Sequence, residues 1–167
     1  NANTPLILPP TTPVSEESSE GGCFVAGARV LMADGSARRI EDVAIGEMVM
    51  GTDGAANPVA ALQRPRRGTH VLMSINRGPF LVNTRHAIAT RGGWKAGHGA
   101  IAHAEYGERV PTAQLCVGDE IRTHDGWQAV DAIDMRASSK INVYNLLTAG
   151  DNTFHVGDGA GFMLVHG

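Results

Sequence analysis

Residues 43–54 recur as residues 115–126, and this repeat constrains the fold more than any other feature of the chain. Val43-Ala44-Ile45-Gly46-Glu47-Met48-Val49 aligns without gaps on Leu115-Cys116-Val117-Gly118-Asp119-Glu120-Ile121. Each copy then places an Asp-Gly pair four residues further on, Asp53-Gly54 and Asp125-Gly126. Chance supplies an Asp-Gly or a Gly-acid step alone; both in register indicate duplication. An offset of 72 residues in a chain of 167 predicts two related units packed about a pseudo-two-fold axis.

Those units read as β. Asp34-Gly35, Asp53-Gly54, Asp125-Gly126 and Asp158-Gly159 each lie beside a short apolar run, and this pair favours the positive-φ turns of hairpins. Candidate strands are 28–32, 48–50, 71–75, 80–82, 87–90, 120–123, 129–133, 141–147, 153–156 and 162–165, mostly rich in Val, Ile, Leu or Thr. Helical periodicity is weak: 38–43 and 111–115 each suit about one turn, and 97–109 a loop or short helix. The fold class is therefore all-β.

Charge divides the chain at Gly21-Gly22. Seventeen acidic and fourteen basic side chains give a net charge of −3. Residues 1–22 hold three of those acids, no base and four of the eight prolines, which reads as a flexible flanking segment. Only Leu6-Ile7-Leu8 offers it an apolar anchor. Residues 23–167 are electroneutral and long enough for a single domain. A neutral body argues against nucleic acid as partner, because non-specific phosphate binding needs a basic surface. No apolar run approaches the roughly 20 residues of a membrane helix, and nothing resembles a signal peptide, so no membrane partner is expected. Two cysteines, Cys23 and Cys116, are too few for a disulfide scaffold and form no C-x-x-C pair; reduced thiols suggest an intracellular setting.

Cys23 stands at the boundary itself. A thiol following two glycines has the uncrowded Gly22 carbonyl immediately upstream of its own amide, and an ionised sulfur can attack it, moving the acyl group from nitrogen to sulfur. A small buried apolar residue is the other reading. Histidine is the natural proton donor for a departing amine. Of seven histidines, His86 stands out: it follows a strand-like run and Asn83-Thr84-Arg85, so the side chains at 83 and 86 can converge on one peptide bond. Asn83 or a nearby backbone N–H would support the oxyanion. A turn histidine bonded to backbone is the other reading for His86. His98, His103, His124 and His155 lack metal-ligand spacing. Arg64-Pro65-Arg66-Arg67 reads as a solvated turn, and Gly157-Asp158-Gly159-Ala160-Gly161 as a hairpin turn rather than a nucleotide loop.

With these residues placed, residues 23–167 resemble a Hint domain, the self-processing module of inteins, bacterial intein-like proteins and Hedgehog autoprocessing domains. The stretch CFVAGARVLMADGSARRIEDVAIGEMVMG from Cys23 is similar to the first block of the family. NTRHAIATRGGWKAG from Asn83 is similar to the histidine-bearing block, and VYNLLTAGDNTFHVGDGAGFMLVHG from Val143 to the two terminal blocks. The resemblance implies a pseudo-two-fold symmetric horseshoe of short strands. It makes Cys23 the nucleophile of an N–S acyl shift at Gly22, His86 the residue that polarises the scissile bond, and His166 the penultimate histidine that assists the far end.

Several positions depart from the family. Asn83 stands where threonine is usual, with Thr84 beside it; Asn145 stands for a frequent aspartate and Asn152 for a common histidine. Gly167 replaces the terminal asparagine, and glycine has no side-chain amide to cyclise, so C-terminal release is closed. The expected activity is autocatalytic: a thioester at Gly22-Cys23, then release of residues 1–22 to water or an external thiol or amine. The substrates are the chain's own flanking segments, the expected state is a monomer, and no cofactor or metal is required. An inert β module that joins or displays its neighbours is the alternative, and a metal site at Cys23 and His86 a third reading.

Overall fold

The computed structural model of the protein describes residues 21–63 and 68–167; the proline-rich flanking segment up to residue 20 and the Arg64–Arg67 turn lie outside them. Sixteen strands, one short α-helix and two 3₁₀ turns (Ile40–Asp42 and Thr52–Gly54) follow in order among the described residues. The first half holds β1 (Phe24–Val25), β2 (Arg29–Leu31), β3 (Ala37–Arg39), β4 (Met48–Met50), β5 (Ala56–Gln63) and β6 (Gly68–Ile75). The second holds β7 (Val82–Asn83), β8 (Ile88–Thr90), β9 (Gly93–Ala96), α1 (Gly99–Tyr106), β10 (Thr112–Gln114), β11 (Glu120–Thr123), β12 (Gly126–Ala129) and β13 (Ile133–Ile141). The chain closes with β14 (Val143–Thr148), β15 (Thr153–Gly157) and β16 (Phe162–His166).

The repeat becomes two copies of one corner. Gly46 and Gly118 adopt φ of 92° and 100°, values that crowd any Cβ. Each donates its N–H across the corner, Gly46 to Val59 O at 2.8 Å and Gly118 to Val130 O at 2.9 Å. The acid that follows turns back on the corner. Glu47 accepts from Ala44 N at 2.9 Å and pairs with Arg38, while Asp119 accepts from Cys116 N at 2.8 Å and pairs with Lys95. Val43 and Leu115 are buried ahead of the glycines, Val49 and Ile121 behind them. The hairpins that follow, β4–β5 and β11–β12, differ by one residue in register, Met48 facing Pro58 and Glu120 facing Ala129.

Two sheets carry the fold, ordered β13-β6-β7-β1-β14-β5-β4 and β10-β9-β8-β11-β16-β15-β2-β3, with β12 paired to β11. Phe24 and Val82 face each other at the centre of the first sheet. Around them Asn83 N donates to Cys23 O at 3.0 Å and Val25 N to Leu81 O at 2.9 Å, a reciprocal pair that relates β1 to β7 by a local two-fold axis. One core runs between the sheets, with Phe24, Phe154, Val30, Val156, Met73 and Leu146 buried; at roughly 2 kcal/mol per large apolar side chain, it is the principal favourable term.

Several expected boundaries shift. The strand expected at 129–133 is two, because Asn76 pins a corner there: its amide donates to Ala129 O, and its oxygen accepts from Asp131 N and Ala132 N. The strand expected at 141–147 breaks at Asn142, where the chain passes from β6 to partners β1 and β5 after a bulge at Lys140 with φ 57°. Within 111–115, Thr112–Gln114 form β10, parallel to β9, rather than a helical turn. Within 38–43 the helical turn is confined to Ile40–Asp42. Of residues 80–82 only Val82 joins β7, and residues 97–109 contain α1.

Candidate active site

Cys23 immediately precedes β1 and is buried at 7% exposure. Its position next to the axis brings it to Asn83, on the facing strand β7. The Asn83 amide brackets the peptide between Gly22 and Cys23. Its Oδ1 accepts from Cys23 N at 3.2 Å, and its Nδ2 lies 3.0 Å from both Gly21 O and Cys23 Sγ. Arg85 N also donates to Oδ1 at 3.2 Å, which fixes the amide's orientation. The Asn83 donor thus faces the Gly21 carbonyl, one residue ahead of Gly22, and the sulfur itself.

His86 is fully buried, its ring 4.3 Å from Phe24 and 6.4 Å from Phe154 between centroids. Nε2 lies 2.7 Å from His166 O. A carbonyl only accepts, so Nε2 carries the proton and the Nδ1 lone pair is free. That lone pair faces Gly22, where an added Cβ would sit 2.3 Å from Nδ1 and 2.6 Å from His86 Cα. Position 22 therefore admits only glycine without a shift of the chain. Nδ1 has no hydrogen bond of normal geometry, although the Gly22 backbone lies near enough to favour its protonation.

Burial sets the resting protonation of both groups. Desolvation pushes the Cys23 thiol up to about 12, against the lowering pull of the Arg85 charge, with Glu105 adding to the rise. Desolvation lowers His86 to about 3, despite the opposing hydrogen bond to His166 O. The site therefore rests as a neutral thiol beside a neutral imidazole.

The chain's last strand delivers the other end. His166 stacks edge-on between Trp94 and Tyr106, at 5.3 and 5.7 Å, and its Nδ1 lies 2.9 Å from Gly167 O. Gly167 N donates to Asn152 O at 2.7 Å. Asn152, left-handed at φ 58°, closes the turn before β15 and accepts from Thr148 N at 2.7 Å. A Cβ on Gly167 would meet Asn152 Oδ1 at 2.2 Å and Leu146 O at 2.7 Å, so this end too is shaped for glycine.

Gly21, Gly22 and Gly167 share the wall of a cavity of about 140 Å³ with Gln63, Glu105, Tyr106, Asn145 and Leu147. Asn145 thus lines this cavity. Thr84 lies outside its wall: its N–H goes to Val71 O and its carbonyl accepts from His98 N, linking β6 to the start of α1. Sequence reasoning missed Arg85, Glu105 and Tyr106. Glu105 accepts from Gly21 N at 3.0 Å and from Arg85 Nη1 at 2.9 Å; the Tyr106 hydroxyl accepts from Ala87 N at 3.3 Å and reaches His166 O at 3.5 Å. No period in 97–109 singled them out; the Arg85 and Glu105 charges offered the only hint. Among the described residues no three His, Cys, Asp or Glu side chains converge so as to hold a metal.

Comparison with known proteins follows the same lines. The profile of the family described as Hom_end-associated Hint matches residues 23–88. The bacterial intein-like domain from Clostridium thermocellum superposes with a TM-score of 0.67 at 21% identity, covering 89% of this chain and 100% of that one. A DnaB intein from Synechocystis gives 0.61 at 13% identity, covering 87% and 98%. A stretch of 43 residues is 46% identical to part of the catalytic subunit of the V-type proton ATPase of Candida tropicalis, spanning 26% of this chain and 4% of that protein.

Proposed function

The chain carries the Hint fold of inteins and intein-like domains, a self-processing architecture, and from that premise we infer that it cuts itself at Gly22–Cys23 by an N–S acyl shift. The observation that carries this reading is the convergence of Asn83 and the His86 Nδ1 lone pair on Gly22 and Cys23.

The step moves one proton from sulfur to nitrogen. His86 Nδ1 takes it as Cys23 Sγ attacks the Gly22 carbonyl carbon, and an imidazolium this acidic returns it readily as the C–N bond breaks. Asn83 Nδ2 stabilises the sulfur as charge grows on it, and Oδ1 holds the nitrogen that departs. Glycine at 22 leaves the attacked carbon open and admits the imidazole. The product is a thioester of residues 1–22 on Cys23, resolved by water or an external nucleophile. Gly167, next to His166, lacks a side-chain amide and sits where a Cβ would collide, so cyclisation at that residue is closed.

The inert connector finds support in one observation, the buried thiol held protonated. Incubating the full chain with and without dithiothreitol and weighing the products separates the two. Release of residues 1–22, accelerated by the thiol and absent in Cys23→Ala, is the expected result; an intact mass in both proteins favours the connector.

A further inference from the structure

The cavity between the two ends of the domain has a chemical preference of its own. Asn145 is 5% exposed and lines this cavity. Its Nδ2 donates to Gln63 Oε1 at 2.9 Å, while its Oδ1 is buried without a hydrogen-bond partner among the described residues. Native structures rarely leave such an oxygen unmet. Glu105 adds two more acceptor oxygens to the wall, already holding Gly21 N and Arg85. Gly22, whose carbonyl would bear the acyl group, forms part of the same wall. What the cavity leaves unmatched is acceptor capacity beside a prospective electrophile, in a space of about 140 Å³ that suits the end of an alkyl chain. A thiol is a weak hydrogen-bond donor and satisfies Asn145 poorly; an amine has two N–H groups, one for Asn145 Oδ1 while the nitrogen lone pair faces the carbonyl.

Resting on the self-cleavage reading above, we propose that this cavity is an acceptor site for a primary alkylamine, seated by Asn145, which takes residues 1–22 as an amide. The amine lone pair attacks the Gly22 carbonyl carbon of the thioester. A C–N bond forms, the C–S bond breaks with its electrons passing to sulfur, and the proton the amine sheds ends on Cys23 Sγ. No oxidant or co-reactant is required. The amine is free in solution or carried on a lysine side chain, the chemistry being common to both.

The test uses the full chain with n-propylamine over a concentration series, each reaction also containing a fixed amount of dithiothreitol, with the mass of the released segment as readout. Propylamide formation that saturates with amine concentration is expected. In Asn145→Leu the ratio of propylamide to dithiothreitol product falls about fivefold, the scale of one hydrogen bond. In Asn145→Asp, which keeps the shape and strengthens the acceptor, the ratio rises. A parallel arm with Nα-acetyl-lysine tells the sources apart, since amide formation there places a lysine side chain within reach and its absence restricts the site to small free amines. A propylamide rate linear to the highest concentration, or the same partition in all three proteins, overturns the acceptor site. Absence of any release by dithiothreitol overturns the thioester reading instead.

Discussion

Across the pseudo-two-fold axis the two sides of the domain share a backbone and differ in chemistry. The reciprocal hydrogen bonds at β1 and β7 make Leu81 the counterpart of Cys23 and Val25 the counterpart of Asn83. Three residues on, Ala28 stands opposite His86, both fully buried. Thiol, amide and imidazole therefore gather on one side, contributed by both halves, while the other side presents leucine, valine and alanine. Only the reactive side receives α1, which adds Glu105 and Tyr106. Duplication accounts for a symmetric frame, and the chemistry proposed above rests on what breaks the symmetry.

Moving the thiol across the axis tests this most severely. Cys23→Ala/Leu81→Cys should release nothing at either position, and Leu81→Cys alone should cut only at 22–23, because the second site has Val25 and Ala28 in place of Asn83 and His86. Mass spectrometry after incubation with dithiothreitol decides. A cut before residue 81 would mean that a thiol at the axis suffices, whatever its neighbours.

His86→Ala makes the reactive side like its counterpart at one position. The thiol remains, but the proton relay to the departing nitrogen is lost, and release in dithiothreitol should slow by about 10² to 10⁴. Circular dichroism on the same sample checks that the fold persists. A loss of less than about tenfold would assign the proton transfer to solvent.

The halves also differ in how far the sequence disclosed them. The corners at Gly46 and Gly118 were readable because the positive φ and the returning acid demand particular residue types at fixed spacing. The equivalence of β1 and β7 was not: it runs at an offset of 58 residues, Phe24 to Val82, against 72 at the corners. The segment that opens the gap, containing α1 and β10, has no amphipathic pattern to betray it. Cys23 drew attention by its place at a boundary, Asn83 and His86 by their types and spacing after a strand-like run. Asn145 was legible only as a departure from a resembled family, and Glu105 only as a charge. Their cavity arises from contacts among residues 21, 63, 105, 145 and 167, whose separations leave no local trace.

Acid offers a smaller effect that depends on the same asymmetry. His86 is held to about 3 in the folded protein by desolvation, against about 6.5 when the chain is unfolded. The unfolded state therefore binds the extra proton first. The stability due to keeping this ring neutral is complete above pH 6.5 and is lost as pH falls toward 3. Between pH 7 and pH 4 the loss should be about 3 kcal/mol, measured as the shift in urea unfolding free energy. His86→Leu, as inert as Ala28, should lose correspondingly less over that interval. Equal losses in both proteins would place the acid sensitivity elsewhere.

The smallest effect probes what the halves have in common. Gly46→Ala and Gly118→Ala each force a Cβ into a backbone at φ near 90–100°, with no neighbour within 4 Å of either added atom. Steric collision with other residues is thus absent at both, and what remains is the backbone penalty of about 1–2 kcal/mol. Both corners hold the same pair of cross-corner hydrogen bonds and the same returning acid, so the two losses should agree to within about 0.5 kcal/mol in urea unfolding of the Cys23→Ala background. There the proposed self-cleavage cannot blur the baseline. A markedly larger loss at Gly118 would show that the inserted helix leans on its corner, making that half of the frame, as well as its chemistry, depart from two-fold symmetry.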